Sequence, residues 1–215
     1  MSTRLAFVVV LSLSFACTSE APDGSDTSTP PSPSGSPSDS DGILPFEGEG
    51  APLESGRYAY EAFSGPPMSF AVGEGWVGGH TLPEFFDVQR EEEGVLLGFA
   101  YPTFVVGADG DVDVQELSAA DALRTIATNR PFAGGAVRSV TIDARPAFEV
   151  DASPETSVEL FGGDEGSFTV EPGSVRLLAV EIDGDLVMIV ASISSGSPPG
   201  IDPLIDRVIS SVRFE

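Results

Sequence analysis

The feature that most constrains the fold is a pair of apolar segments near the end of the sequence. Residues 175–182 and 186–193 flank Asp183-Gly184, a dipeptide typical of a two-residue β-hairpin turn. The second segment, LVMIVASI, is apolar at every position except Ser192. A strand with apolar side chains on both faces has to be covered on both sides. The sequence therefore predicts a central antiparallel hairpin with other elements packed against each of its faces.

Weaker patterns place further elements around this hairpin. Alternating or short apolar runs predict additional strands, and 3.6-residue periodicity predicts two amphipathic helices. We expect an α+β fold, with a mostly antiparallel sheet of about six or seven strands covered by the helices. The predicted strands are 57–63, 68–72, 85–90 with 95–101, 137–142 with 147–152, and 212–214, with a loop or weak hairpin over 153–173. The helices are predicted to begin at Ser118 and at Asp202, the second with Pro203 in its first turn.

The first residues have the pattern of a secretory signal peptide. Arg4 precedes an apolar run over 5–16 that would rise only about 18 Å as a helix, too short for a bilayer core of about 30 Å. Cys17, the only cysteine, ends this run. The order is similar to a bacterial lipoprotein signal, in which the cysteine receives a diacylglycerol on sulfur and becomes the mature N-terminus. We therefore predict a signal peptide over 1–16 and lipidation of Cys17. The alternative is a secreted protein with an unpaired terminal thiol.

Residues 17–56 are predicted to form the lipidated cysteine and a disordered linker rich in Ser, Pro and Asp. Residues 18–42 contain no large apolar side chain, so burial cannot offset the entropy lost on ordering. Residues 43–56 are mixed in composition and are expected to be irregular as well. The folded part is then a single domain over 57–215.

The charge of the chain excludes one class of partner. Thirty-four acidic residues stand against ten basic ones, all arginine, which gives a net charge of −24. A chain of this charge repels phosphate backbones, so we expect no nucleic-acid binding. It is also repelled by anionic lipid headgroups, which favours tethering by lipid over adsorption to a membrane surface.

A literal G-x-G-x-x-G occurs at residues 73–78. A dinucleotide-binding loop needs a helix that opens at these glycines and points its N–H groups at a pyrophosphate. Here Gly78-Gly79 and Pro83 follow, which makes a helix improbable. We therefore predict a tight turn that leads Trp76 into the core.

Other candidate sites have weak sequence support. His80, the only histidine, is expected to be an exposed loop residue, since no Ser-His-Asp pattern accompanies it. Asp111, Asp113 and Glu116 resemble the start of a calcium loop, but the later positions of that loop do not match, so they are only weak metal candidates. Several aromatic residues at strand spacing could line an apolar pocket, although core packing is the commoner role: Tyr58, Tyr60, Phe85, Phe86, Phe99 and Tyr101.

Three short segments carry a family resemblance: MSFAVGEGW at 68–76, ARPA at 144–147 and SSVRF at 210–214. The first is similar to the start of extracytoplasmic domains with the PsbP-like fold, which the Ran-binding Mog family shares. Bacterial members, including LpqN-type lipoproteins, often follow a lipoprotein signal and a Ser/Thr/Pro linker. The resemblance implies an antiparallel sheet between helical layers, and roles in binding or assembly more than in catalysis. It supplies no catalytic residue.

The functional hypothesis is therefore a lipid-anchored cell-envelope lipoprotein that acts as a binding or protein-interaction module. We expect no catalysis and no cofactor. The expected partners are the membrane, through the lipid, and an envelope protein or an apolar ligand. An envelope hydrolase that uses carboxylates with a metal ion is the alternative from another class. A purely structural envelope component is a third.

Overall fold

The computed structural model describes residues 42–48 and 50–215, and this part of the chain forms fifteen strands and two α-helices. The predicted signal peptide over 1–16, Cys17 and most of the predicted linker lie outside the described residues. The elements in chain order are β1 (Leu44–Pro45), β2 (Gly56–Ala59), β3 (Met68–Val72), β4 (Val77–Leu82), β5 (Phe85–Arg90), β6 (Val95–Ala100), β7 (Phe104–Gly107), β8 (Gly110–Asp113), α1 (Ala119–Ala127), β9 (Arg138–Ile142), β10 (Arg145–Ala152), β11 (Val158–Gly162), β12 (Ser167–Val170), β13 (Gly173–Ile182), β14 (Asp185–Ser194), α2 (Asp202–Ser211) and β15 (Arg213–Phe214).

A large antiparallel sheet forms the centre of the molecule. Its strand order is β4-β5-β6-β14-β13-β10-β9. The predicted hairpin at its middle is confirmed: β13 and β14 pair from Gly173↔Ser194 to Ile182↔Asp185. Asp183 and Gly184 both have positive φ, +55° and +98°, as a two-residue hairpin turn requires.

Alternate side chains of β14 enter two separate cores. Val187, Ile189 and Ala191 belong to the first core, on one face of the large sheet. Leu186, Met188 and Val190 belong to the second core, on the opposite face. The sequence prediction that this strand is covered on both sides is therefore confirmed.

Two small sheets supply much of that cover. The first small sheet, in the order β1-β2-β3-β15, packs over the first core together with α2. The second small sheet, in the order β12-β11-β7-β8, packs over the second core together with α1. Only β1 and β2 run parallel among the strand pairs of the described residues.

The prediction of a mostly antiparallel α+β fold is therefore confirmed, while the expectation of one helix-covered sheet of six or seven strands needs correction. The sheet is covered by other sheets as well as by helices. Strand β4 was not predicted because its sequence, VGGHTL, contains two glycines and few apolar residues.

Both predicted helices are present. Ser118 caps α1, and its hydroxyl oxygen accepts a hydrogen bond from the Asp121 amide at 3.2 Å. In α2 the capping position is Ile201, so Asp202 is the first helical residue and not the N-cap. No helix in the described part of the chain combines the length and the apolar character needed to cross a bilayer.

The segment just before residue 57 differs from the predicted linker. β1 pairs in parallel with β2, and the side chains of Phe46 and Leu53 are buried in the first core. The amide of Leu53 also donates to the Trp76 carbonyl at 2.9 Å. These two apolar side chains supply the burial that residues 18–42 lack, so the packed part of the chain begins before Arg57.

Candidate functional site

A groove lies between an edge strand of the large sheet, β4, and an edge strand of the second small sheet, β12. Its volume is about 720 Å³. The strands β4, β5 and β6 form one wall, and the β11–β12 hairpin forms the other. The apolar lining consists mainly of Leu82, Phe85, Leu96, Pro102, Phe161 and Phe168.

Three packed aromatic rings connect the two walls, one pair tilted and the other stacked. The ring centroids of Phe85 and Phe168 are 4.9 Å apart, and those of Phe168 and Phe161 are 5.2 Å apart with nearly parallel planes. Aromatic pairs at these distances add to the stabilisation from burial alone. The apolar wall of the groove therefore packs across two sheets.

Asp87 lies at the polar end of the groove and is completely buried. Its Oδ1 accepts a hydrogen bond from Gln89 Nε2 at 2.7 Å. Its Oδ2 accepts from the His80 amide at 3.1 Å and lies 2.9 Å from His80 Nδ1. A buried carboxylate is costly unless it is hydrogen-bonded, and these three contacts meet that requirement.

A β-bulge produces this arrangement. The register between β4 and β5 shifts between Gly78 and Thr81, so Gly79 and His80 together lie opposite the single residue Asp87. A Cβ atom on Gly79 would lie 1.6 Å from Asp87 Oδ1, so a glycine is required there. Bulges of this kind change the direction of a side chain, and here the bulged residue is His80.

His80 is a half-buried member of a strand, which corrects the expectation of an exposed loop residue. Its side chain is 39% exposed, against 0% for Asp87. The hydrogen bond to Asp87 raises the pKa of His80 above its usual 6.5, and partial burial opposes that effect. His80 and Asp87 are seven positions apart in the sequence, and no sequence pattern predicts their contact. It follows only from the register of β4 against β5.

Glu84 ties the two walls of the groove together. It lies in the turn between β4 and β5, and its carboxylate accepts from the amide of Asp164 at 3.0 Å and of Glu165 at 3.4 Å. Both amides belong to the β11–β12 turn. Gly163 permits this approach, because a Cβ atom there would lie 1.8 Å from Glu84 Oε2. Side-chain to backbone contacts from Glu84 thus help to hold the two walls of the groove together.

The charges around the groove are of one sign. The residues that line it include the carboxylates Glu84, Glu91 and Glu165, together with the buried Asp87, and contain neither Arg nor Lys. His80 is the only lining group that can become positive, and it already faces Asp87. An anionic ligand would therefore meet repulsion here with little compensation.

The weak metal candidates are not brought together. Asp111 and Asp113 lie on β8, and the Asp113 side chain accepts from the Gln115 amide at 2.9 Å, which caps a short 3₁₀ turn. Glu116 lies in that turn. Among residues 42–48 and 50–215, no three His, Cys, Asp or Glu side chains are placed to hold one metal ion.

The G-x-G-x-x-G segment forms a turn followed by a strand. Gly75 has φ +82° in the turn, and Trp76, 2% exposed, packs in the first core. The Arg90 guanidinium carbon lies 5.8 Å from the centre of a Trp76 ring. The sequence prediction of a turn that leads Trp76 inward is confirmed, and the third glycine lies in β4 where a nucleotide-binding loop needs a helix.

The aromatic candidates divide between the core and the groove. Phe85 and Tyr101 line the groove, and the Tyr101 hydroxyl donates to Asp185 Oδ1 at 2.9 Å. The others belong to the first core or pack against it: Tyr58, Tyr60, Phe86 and Phe99.

A second cavity of about 490 Å³ lies beside Arg176 and α2. Arg176 there contacts four carboxylates, those of Glu149, Asp151, Asp202 and Asp206. Its charge is already satisfied within the protein, so Arg176 is not available to an anionic ligand in this cavity.

Comparison with known proteins gives similarity of structure and none of sequence. No protein-family model matches the sequence, and no curated protein matches it. The fold is similar to the solution structure of cyanobacterial PsbP (CyanoP) from Synechocystis sp. PCC 6803, with 14% identity and a TM-score of 0.42. The match covers 79% of this chain and 98% of that one. At this level the PsbP-like assignment stays a prediction, whereas the mostly antiparallel arrangement is seen directly in the strand pairing.

Proposed function

We propose that this protein is a binding module for a largely apolar small molecule, which it holds in the groove between β4 and β12. One observation carries the proposal: a mostly apolar groove of about 720 Å³ that ends in a buried, fully hydrogen-bonded polar group. Small-molecule sites typically measure about 300 to 1,000 Å³ and combine apolar walls with a few fixed polar groups.

The charges of the groove define the ligand further. Glu84, Glu91 and Glu165 line it without any Arg or Lys. The ligand is therefore neutral or cationic, with an aromatic or aliphatic body that packs against Phe85 and Phe168. An anionic amphiphile is the class that this site disfavours most.

The location of this module is a proposal from the sequence alone. Residues 1–16 and Cys17 have the pattern of a lipoprotein signal, and the residues after them are rich in Ser, Pro and Asp. We place the domain outside the cytoplasm, held at the cell membrane by lipid on Cys17, where an apolar envelope molecule would be within reach.

Two fluorescent probes with nearly the same aromatic body test the ligand class. N-phenyl-1-naphthylamine is neutral, whereas 1-anilinonaphthalene-8-sulfonate carries a sulfonate. Saturable binding of the neutral probe, about tenfold tighter than that of the sulfonate, supports the proposal. Equal affinity for the two probes would contradict the charge argument, and no saturable binding of the neutral probe would contradict the groove as a binding site.

A blocking variant assigns that binding to the groove. Leu96 lines the groove and is half-buried, so Leu96→Trp fills the space without disturbing a closed core. The control is Ser139→Trp on the exposed edge strand β9. Binding should be lost in the first variant and kept in the second; the same loss in both, or in neither, would place the probe elsewhere.

The lipid anchor is tested separately in a bacterial host that processes lipoproteins. Labelled palmitate should be incorporated into the wild-type chain and not into Cys17→Ala. Label that persists in the variant would show that the anchor is not at Cys17.

A further inference from the structure

We infer that the Nε2 atom of His80 accepts a hydrogen bond from a hydroxyl or amine group of the ligand, which makes His80 the residue that selects the ligand's polar group. This inference rests on the proposed function, because it names the chemistry at the polar end of the same groove. It further implies that binding requires the neutral imidazole and is lost on protonation.

The tautomer of His80 follows from its contact with Asp87. Nδ1 lies 2.9 Å from a carboxylate oxygen that is completely buried. A carboxylate only accepts hydrogen bonds, so the neutral imidazole carries its proton on Nδ1 and keeps a lone pair on Nε2. Within residues 42–48 and 50–215, Nε2 has no hydrogen-bond partner, although His80 lines the groove.

The position of this lone pair is fixed by the surrounding contacts. The Asp87 carboxylate is held on both oxygens, by Gln89 Nε2 and by the backbone amide of His80 itself. The Asp87 Oδ1 atom also lies against the backbone of Gly79, in the space that a Cβ atom would fill. Asp87 and Gln89 are therefore positioning residues, which act on the ligand only through the imidazole.

The titratable groups that line the groove together with His80 favour a hydrogen-bond donor on the ligand. Asp87 approaches from β5, Glu84 lies in the β4–β5 turn and Glu91 follows β5. Glu165 lies in the β11–β12 turn, and Tyr101 follows β6. Four of these five groups are carboxylates and none is a cation. A ligand donor is therefore attracted to this end of the groove, and a ligand acceptor with negative charge is repelled.

The pH dependence has a defined direction. Protonation turns Nε2 from a hydrogen-bond acceptor into a donor. A hydroxyl or amine N–H group of the ligand can then no longer donate a hydrogen bond to it. The contact with Asp87 raises the pKa of His80 above 6.5, so this loss begins above that value as the pH falls. Binding should therefore be strong at about pH 8.5 and weak at about pH 5.

Two probes that differ in a single hydrogen-bond donor test the inference. N-phenyl-1-naphthylamine has one N–H, and its N-methyl derivative has none; both stay uncharged in this pH range. Wild-type protein at about pH 8.5 should bind the N–H compound about tenfold more tightly, which is the effect of one hydrogen bond to a buried or half-buried partner. His80→Phe should bind both compounds with similar affinity.

The outcomes separate this inference from the proposed function. Equal binding of the two probes by the wild-type protein would overturn the role of His80 and leave the groove as a binding site. If His80→Phe still binds the N–H probe more tightly than the N-methyl probe, the role of His80 is likewise overturned and the groove stays a binding site. If neither probe binds, the groove proposal and this inference fail together.

A titration of His80 distinguishes a contact with the ligand from a purely structural role, because only a contact makes ligand binding and the His80 pKa depend on each other. His80 is the only histidine, so its imidazole proton signals in an NMR spectrum of untagged protein need no assignment. The probe affinity should fall with the same midpoint as that signal, and saturating probe should lower the midpoint. Asp87→Asn should lower the midpoint in the free protein. A midpoint that the probe does not shift would show that binding is independent of the His80 proton.

Discussion

Gly79 lies so close to Asp87 that a Cβ atom on the glycine would stand 1.6 Å from the Asp87 Oδ1 atom. Gly79→Ala must therefore displace a buried carboxylate that carries three hydrogen bonds. We expect the free energy of unfolding to fall by about 3 kcal/mol, measured by urea denaturation.

Gly73→Ala is the matched control for that variant. Its added Cβ would meet no atom within 4 Å, and its φ is not in the left-handed region. We expect a change within about 0.5 kcal/mol. If Gly79→Ala is as stable as Gly73→Ala, the packing between the bulge and Asp87 is not as described.

The contact between Glu84 and the β11–β12 turn predicts a local change in dynamics. In Glu84→Ala the amides of Asp164 and Glu165 lose their acceptor. Their hydrogen-exchange protection should fall about tenfold, since a hydrogen bond to a charged group contributes about 1.5 kcal/mol or more. Glu159→Ala, at an exposed position on β11, is the control and should leave both amides unchanged. Unchanged protection in Glu84→Ala would show that another contact holds the turn.

The titration of His80 also predicts a pH dependence of stability. Its pKa in the folded state is raised above 6.5 by the hydrogen bond to Asp87, with partial burial opposing. The ion pair between protonated His80 and Asp87 therefore contributes fully to stability below about pH 6.5, the pKa in the unfolded chain. This contribution is lost as the pH rises through the higher pKa that His80 has in the folded state. Acidification thus strengthens the interaction between His80 and Asp87, while it weakens the proposed hydrogen bond from the ligand to His80 Nε2.

Urea unfolding at several pH values measures this contribution. The stability difference between the wild-type protein and His80→Gln should be larger at about pH 5.5 than at about pH 9. The comparison between the two proteins removes the effect of the many carboxylates, which titrate in both. A difference that stays constant over this range would contradict a raised pKa for His80.

The parts of the fold that the sequence predicted depend on local patterns. The turn at Asp183-Gly184 and the cap at Ser118 each specify their element within a few residues. Strand β4 has no such pattern, because VGGHTL contains two glycines and a histidine. It forms a strand through its pairing with β5, which sequence periodicity does not reveal.

The candidate site was less predictable because it depends on contacts between distant segments. His80 meets Asp87 only through a shifted register, and Glu84 meets Asp164 across 80 positions of sequence. The aromatic wall likewise joins Phe85 to Phe168 from different sheets. Single-sequence patterns carry no information on such distances, so the groove and its polar end emerge only from the packed structure.

The extent of the folded domain gives the last prediction. Phe46 lies in the segment expected to be a linker, yet its ring is 5.4 Å from that of Phe86 and 5.9 Å from that of Phe70. It is 5% exposed, whereas Ile43 is 51% exposed. Phe46→Ala should lower the free energy of unfolding by about 3 kcal/mol, as expected for loss of a buried phenylalanine, and Ile43→Ala by less than about 0.5 kcal/mol. Equal, small effects in both variants would mean that the segment before residue 57 adds nothing to the core, and that the folded domain begins at Arg57 as the sequence alone suggested.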